Sequence, residues 1–242
     1  RKPNPAPDPR RPDLVNKTMR DTIVFDVNET LLDLSALDAP FKRYFSDAGV
    51  RVHWFAQVLQ SALTTTILGH YRSFAEIGRA ALEMIAVRKG VSLDDRARSE
   101  ILGTMRALPP HPEVPQALNR LKDAGFRLAA LTNSSPVMIG AQLKNSGLAH
   151  LFARVLSVES VHQFKPARAV YNMAAKELGE KPDALWLVAA HNWDTSGAIN
   201  AGWRAAFVQR PGMVLGPLDA KPQIIGRDIA EVADRLIEAL GG

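Results

Sequence analysis

The stretch Thr22-Ile23-Val24-Phe25-Asp26 constrains the chain more than any other. β-Branched and aromatic residues run unbroken to an acid, and the turn-forming Asn28-Glu29-Thr30 follows one residue later. An uninterrupted apolar strand of this kind is buried on both faces, as in a parallel sheet covered by helices, and it delivers its last side chain to the sheet's carboxyl edge. Open α/β sheets bind ligands at that edge. An aspartate there can serve as nucleophile, base or metal ligand, or can simply cap the helix that follows.

From Leu108-Pro109-Pro110 onward the chain alternates. The pattern predicts helices over 114–124, 136–146, 167–178, 196–201 and 229–240, and strands over 126–131, 155–157, 185–190, 205–208 and 223–225. Gly125, Gly147, Gly179 and Gly202 close four of the helices. Strands separated by single helices imply crossover connections and parallel pairing. Residues 41–107 differ: Phe41, Phe45, Trp54, Val58, Leu63, Phe74, Ile77, Leu82 and Ile85 recur at helical spacing, with Gly49, Gly69 and Gly90 at the breaks. The predicted organisation is α/β, a Rossmann-like and mainly parallel sheet with helices on both faces over residues 21–33 and 108–242, plus a small helical cap domain over 34–107. Such a cap can close on a site. Residues 1–20, with Pro3, Pro5, Pro7, Pro9 and Pro12 among polar neighbours, predict a flexible tail.

Composition narrows the function classes. The chain has 242 residues, 46% of them hydrophobic, and no cysteine, which excludes disulfides and thiolate metal sites. No apolar run is long enough to cross a bilayer, and the amino-terminal stretch is polar and proline-rich, so the expectation is a soluble cytoplasmic protein with no membrane partner. The net charge of +5 draws on Arg1, Lys2, Arg10, Arg11, Lys17 and Arg20 near the amino terminus, and no later segment interleaves basic residues with aromatics. Nucleic acid is therefore not an expected partner, whereas a small anion is.

The strands end at Asp26, at Thr132-Asn133-Ser134, near Lys165 and at His191-Asn192-Trp193-Asp194, and a parallel sheet projects all of these to one crevice. Each residue also has a structural explanation. Thr132 and Ser134 are placed to cap the helix that Pro136 starts, Asp194 to cap its own helix, Lys165 to be a solvated loop charge, His191 a half-buried imidazole and Tyr171 a core aromatic. Their joint occurrence is what points to chemistry.

The stretches FDVNETLLDL, LTNSS, FKPARAVY and VAAHNWDTSGA, in that order, resemble the haloacid dehalogenase superfamily, and within it the type II (S)-2-haloacid dehalogenases. The resemblance runs from Thr22 to the carboxyl terminus. It implies Asp26 as nucleophile, Thr30 holding its loop, Val27 and Asn28 offering amides to substrate, and Thr132 and Asn133 touching substrate. It further implies Lys165 neutralising Asp26, Tyr171 supporting that lysine, Asp194 positioning the hydrolytic water, and a homodimer through the cap.

Most of that superfamily are magnesium-dependent phosphatases, with a second aspartate two residues after the nucleophile protonating the leaving alkoxide. Here Asn28 stands in that place and cannot act as an acid, while Ala189 and Ala190 stand where a metal-binding carboxylate is expected. A halide leaves without a proton. The expected activity is thus cofactor-free and metal-free hydrolysis of a small 2-haloacid through an aspartyl ester. Alternatives are a same-fold hydrolase of another substrate, including a phosphatase, and a catalytically silent binding protein. Two departures bear on substrate: Phe55 follows Trp54 where the dehalogenases carry a halide-embracing arginine, and His191 and Asn192 join the expected substrate contacts, His191 in place of the family's asparagine.

Overall fold

The computed structural model describes residues 21–240, so the tail expected over 1–20 lies outside the described residues. Six strands form one parallel sheet: β1 (Thr22–Phe25), β2 (Arg127–Thr132), β3 (Arg154–Ser157), β4 (Leu185–Ala189), β5 (Arg204–Val208) and β6 (Ile224–Gly226), in the order β3-β2-β1-β4-β5-β6. Every residue of β1 and β4 is buried. Successive side chains of a strand point to opposite faces, so both faces of the central strands are covered. The order reverses between β1 and β4, and a crevice opens where neighbouring connections depart in opposite directions. Asp26 and His191 follow these two strands.

Between β1 and β2 the chain makes four helices, α1 (Asp38–Phe45), α2 (Val50–Leu68), α3 (Phe74–Lys89) and α4 (Asp95–Thr104), and then α5 (Val114–Asp123). Their boundaries follow from local chemistry. Gly69 and Gly90 take left-handed conformations that close α2 and α3, and Ser73 with Glu76 forms a reciprocal cap at the start of α3. The insert buries its own aromatic stripe, Phe41 on Phe45 at 5.5 Å and on Trp54 at 5.5 Å, and the Trp54 indole donates to the Gly78 carbonyl at 2.9 Å. Where the chain leaves and re-enters the sheet layer, the two segments are stitched together by Asp33 N to Pro109 O and His111 N to Leu31 O.

After β2 come α6 (Pro136–Asn145), α7 (Arg168–Leu178), α8 (Asn192–Asn200) and α9 (Ile229–Leu240). Two local expectations are corrected. The helix expected over 196–201 begins at Asn192, because His191 is extended and starts it directly off β4, which puts Asp194 inside the first turn and not in the capping position. The cap of α6 is Ser135, whose hydroxyl accepts from Met138 N, and not Thr132 or Ser134. Those two lie nearer the strand and are engaged elsewhere. No helix among the described residues is long and apolar enough to cross a membrane.

Candidate active site

The loop after β1 is a tight turn. The amides of Leu31 and Leu32 both donate to the Val27 carbonyl, and Glu29, at φ 64°, takes the left-handed conformation that reverses the chain. Few non-glycine residues adopt it without a compensating contact. Here the compensation is visible, since Glu29 N donates to Leu32 O and its carboxylate reaches His191. Arg210, buried beyond β5, donates to the Thr30 carbonyl at 2.8 Å and pairs with Glu113 at 2.7 Å, bracing the turn from behind.

Asp26 is held at both oxygens. Its Oδ1 accepts from Lys165 Nζ at 2.7 Å, and its Oδ2 accepts from Thr30 Oγ1 at 2.6 Å and faces His191 Nδ1 at 3.2 Å. The Thr30 hydroxyl is itself fixed, because it accepts from the Ala190 amide at 2.9 Å. Lys165 is 2% exposed and also donates to Asp194 Oδ2 at 2.6 Å and to the Leu131 carbonyl at 3.1 Å, so its three protons are all directed. The other Asp194 oxygen accepts from the Tyr171 hydroxyl at 2.6 Å. One ammonium thus sits between two buried carboxylates, and a tyrosine backs the second.

Two carboxylates sharing one cation do not titrate alike. Burial favours the neutral form of Asp26, but Lys165 and then His191 outweigh it and hold Asp26 below the ordinary carboxylate range. Asp194 goes the other way: full burial and the neighbouring Asp26 charge raise it, against Lys165 and Tyr171. Burial disfavours the charged form of Lys165, yet the two aspartates more than restore it and raise its pKa. Burial and Asp194 push Tyr171 far above its usual value, which keeps its proton in place.

The remaining residues expected at the site divide. Asn133 Oδ1 accepts from the Lys165 amide at 3.0 Å, so it orients the lysine's backbone. Thr132 Oγ1 accepts from Ser134 N. The Asn28 side chain is turned to Ser134 and to Gln142, which donates to it at 3.0 Å. Asn192 bonds Asp219 at 2.9 Å. Val27 is a buried apolar side chain, and Phe55 is buried in the insert, its ring tilted on Trp54 at 6.1 Å. None of the insert cations near Phe55 in sequence takes an arginine's place at the cluster: Arg51 reaches Asp38 and lies 3.9 Å from Glu29, while His53, His70 and Arg72 are exposed. Glu29, Gln142 and Arg210 were not anticipated. Arg210 was findable, as a charged residue just past a strand's carboxyl end; Glu29 and Gln142 act through conformation and distance that no local pattern announces.

Two cavities separate the insert from the sheet layer. One of about 320 Å³ is walled by Leu59, Ala62, Leu63 and Trp193 and reaches Asn133 and Lys165. A larger one of about 380 Å³ lies by Trp54, Val58 and Met105 and meets the sheet layer at Ser134 and Ser135. The smaller is the one that touches the charged cluster. A magnesium site does not fit these residues. Lys165 fills the gap between the carboxylates, Ala189 and Ala190 bring no oxygen ligands, and among the described residues no three His, Asp or Glu side chains gather to hold a metal.

Comparison with known proteins gives a consistent answer. The model of the haloacid dehalogenase-like hydrolases matches residues 20–202. An (S)-2-haloacid dehalogenase of Pseudomonas fluorescens is 30% identical over 219 residues, covering 90% of this chain and 96% of that protein. The solved L-2-haloacid dehalogenase RSc1362 superposes with a TM-score of 0.86 at 27% identity, over 90% of this chain and 99% of that one. The L-2-haloacid dehalogenase of Xanthobacter autotrophicus, at 24% identity, gives 0.85 over 92% and 100%, a likeness of fold.

Proposed function

Since the chain belongs to the haloacid dehalogenase-like hydrolases, we propose that it removes halide hydrolytically from a small, anionic 2-haloacid through an ester on Asp26. It is a hydrolase acting on carbon–halide bonds. The observation that carries the reading is the Lys165 ammonium bridging Asp26 at 2.7 Å and Asp194 at 2.6 Å, with Asn28 in the place of a general acid. A phosphatase needs both a proton donor for its alkoxide and a metal for its phosphate. A dehalogenase needs neither.

In this reading a carboxylate oxygen of Asp26 attacks C2, and the carbon–halogen pair departs with the halide. Lys165 keeps the nucleophile ionised. Water then attacks the ester carbonyl, with Asp194 as the base that takes its proton. Tyr171 and the Asn133 side chain hold Asp194 and Lys165 in register, and we assign the substrate carboxylate to the Thr132 and Asn133 segment at the end of β2, of which Asn133 lines the smaller cavity. The smaller cavity's apolar wall suits a short alkyl group.

The test is chloride release from (S)-2-chloropropionate together with mass spectrometry of the Asp26 peptide. Esterified Asp26 in quenched wild-type enzyme, absent in Asp26→Asn, supports the reading. Turnover that survives Asp26→Asn rejects it.

A further inference from the structure

His191 lies between two groups that can only accept hydrogen bonds, Asp26 Oδ2 at 3.2 Å from Nδ1 and Glu29 Oε2 at 2.9 Å from Nε2. Each ring nitrogen can satisfy its partner only by carrying a proton, so the ring is an imidazolium. The two oxygens of Asp26 are unequal in consequence. Oδ2 is occupied by the Thr30 hydroxyl and the imidazolium, whereas Oδ1 accepts from Lys165 alone among the described residues and keeps a lone pair for attack on carbon.

Resting on the ester mechanism above, we propose that Thr30 Oγ1 and His191 Nδ1 form the oxyanion site for Oδ2 in the second step, and that Glu29 keeps His191 oriented and charged for it. Oδ1 forms the bond to C2, so Oδ2 stays the carbonyl oxygen of the ester. When water bonds to Cγ, one proton passes to Asp194 and the Cγ–Oδ2 π pair moves onto Oδ2, where two donors already point. The pair returns as the Cγ–Oδ1 bond breaks. Oδ1 leaves with the product, taking the proton back from Asp194, and the new carboxyl group loses the second water proton to solvent. Lys165 faces the leaving oxygen and His191 the developing anion.

Glu29 has a distinct part. Esterification removes the Asp26 charge, and Glu29 is then the carboxylate still in contact with the ring. Burial disfavours the charged ring, but the bonds to Asp26 and Glu29 prevail and lift its pKa to about 9. The charged neighbours beyond these are Lys165 across Asp26 and Arg51 3.9 Å from the other Glu29 oxygen; His111, against the Glu29 carbonyl at 3.3 Å, is titratable but burial and Arg210 favour its neutral form, and Trp193 stacks on the ring at 4.8 Å.

His191→Phe keeps the stack and removes the donor. In rapid-quench experiments with (S)-2-chloropropionate it should give a stoichiometric chloride burst followed by turnover slowed about 100-fold, with ester accumulating on Asp26. Glu29→Gln, which disturbs packing less, should move the alkaline limb of ester hydrolysis to lower pH by at least about one unit, as expected when the ring loses the carboxylate that still faces it in the ester. If wild-type enzyme forms ester and His191→Phe hydrolyses it at the wild-type rate, or slows both steps equally, the oxyanion site is wrong and the ester reading stands. An unmoved limb in Glu29→Gln removes Glu29 from the proposal. No ester in the wild type sinks both readings.

Discussion

Gly197→Ala tests whether the catalytic carboxylates are held by packing that leaves no room for a methyl group. Gly197 lies inside α8, where alanine is the better helix former by about 1 kcal/mol, so helix propensity alone predicts a stabilised protein. The structure predicts the opposite. A Cβ at this position would stand 2.5 Å from Pro166 Cβ, 2.6 Å from the Tyr171 hydroxyl oxygen and 2.9 Å from Tyr171 Cε2, well inside the roughly 3.5–4.0 Å at which non-bonded carbons attract. Neither neighbour yields easily: Pro166 is a ring tied to its backbone, and Tyr171 is fully buried with its edge on Trp203 at 5.8 Å. Overpacking of this kind costs about 1–3 kcal/mol, and displacing Tyr171 forfeits a hydrogen bond to the Asp194 carboxylate worth about 1.5–3 kcal/mol. Against the propensity gain, the net loss is about 1.5–5 kcal/mol. Urea unfolding should show a lower midpoint with an unchanged slope, and chloride release should fall on the order of tenfold or more as Asp194 loses its support. A variant as stable as the wild type, with unaltered turnover, would refute the claim that Tyr171 is wedged against Asp194.

Other consequences follow from the same contacts. Lys165→Met leaves Asp26 and Asp194 facing each other without a cation, and turnover measured by chloride release should drop on the order of a thousandfold. EDTA should leave the rate of the wild-type enzyme unchanged and added magnesium should not raise it, as judged by the same assay; inhibition by EDTA that magnesium reverses would overturn the donor-set argument. His191, with a folded-state pKa raised to about 9 from 6.5, stabilises the fold fully below pH 6.5, and that contribution, on the order of 3 kcal/mol, is lost as pH rises through 9. Unfolding free energies between pH 6 and 10 should decline more steeply in the wild type than in His191→Phe. Asp26, lowered in the fold, acts with the opposite sign: its contribution is present above about 3.8 and disappears as pH falls through the folded value, so Asp26→Asn should flatten the acid limb of stability.

The sheet was legible because its strands are short apolar runs that follow helix-closing glycines and end in polar turns, and the register of the catalytic cluster follows from topology once the strands are parallel. The insert was legible for the complementary reason, that Gly69 and Gly90 had to be left-handed where the apolar period broke. What escaped was local detail governed by competition. The start of α8 at Asn192 was hidden because His-Asn-Trp-Asp has no helical period of its own, and it is set by the chain turning directly off β4. Three neighbouring residues, Thr132, Ser134 and Ser135, have equal capping chemistry, and only the geometry of the strand end decides that Ser135 takes the cap. Glu29 was invisible as a site residue because its role needs a left-handed backbone that sequence gives no reason to expect in a glutamate. Phe55 shows the converse: a residue singled out by position in a family pattern lies against Trp54 within the insert.

One lysine serving two aspartates raises the question of how the pair divides its labour, since Lys165 touches both at nearly the same distance. The division comes from the other oxygens. Asp26 meets a second cation and a hydroxyl at Oδ2 and is slightly open to the crevice, so it stays ionised and able to attack carbon. Among the described residues the Asp194 carboxylate has only a tyrosine hydroxyl beyond the lysine, is wholly buried and feels the charge of Asp26, so its proton affinity is raised. Groups whose environments push their pKa values apart separate nucleophile from base without any difference in chemical type. The separation also changes during turnover. Once Asp26 is esterified its charge is gone, Asp194 becomes the sole carboxylate on Lys165, and the repulsion that raised Asp194 is relieved. Asp194 is therefore ionised and able to receive the water proton in the intermediate, with less of the basicity it has beside the Asp26 charge, and a substitution that keeps the Asp26 charge fixed cannot reproduce that state.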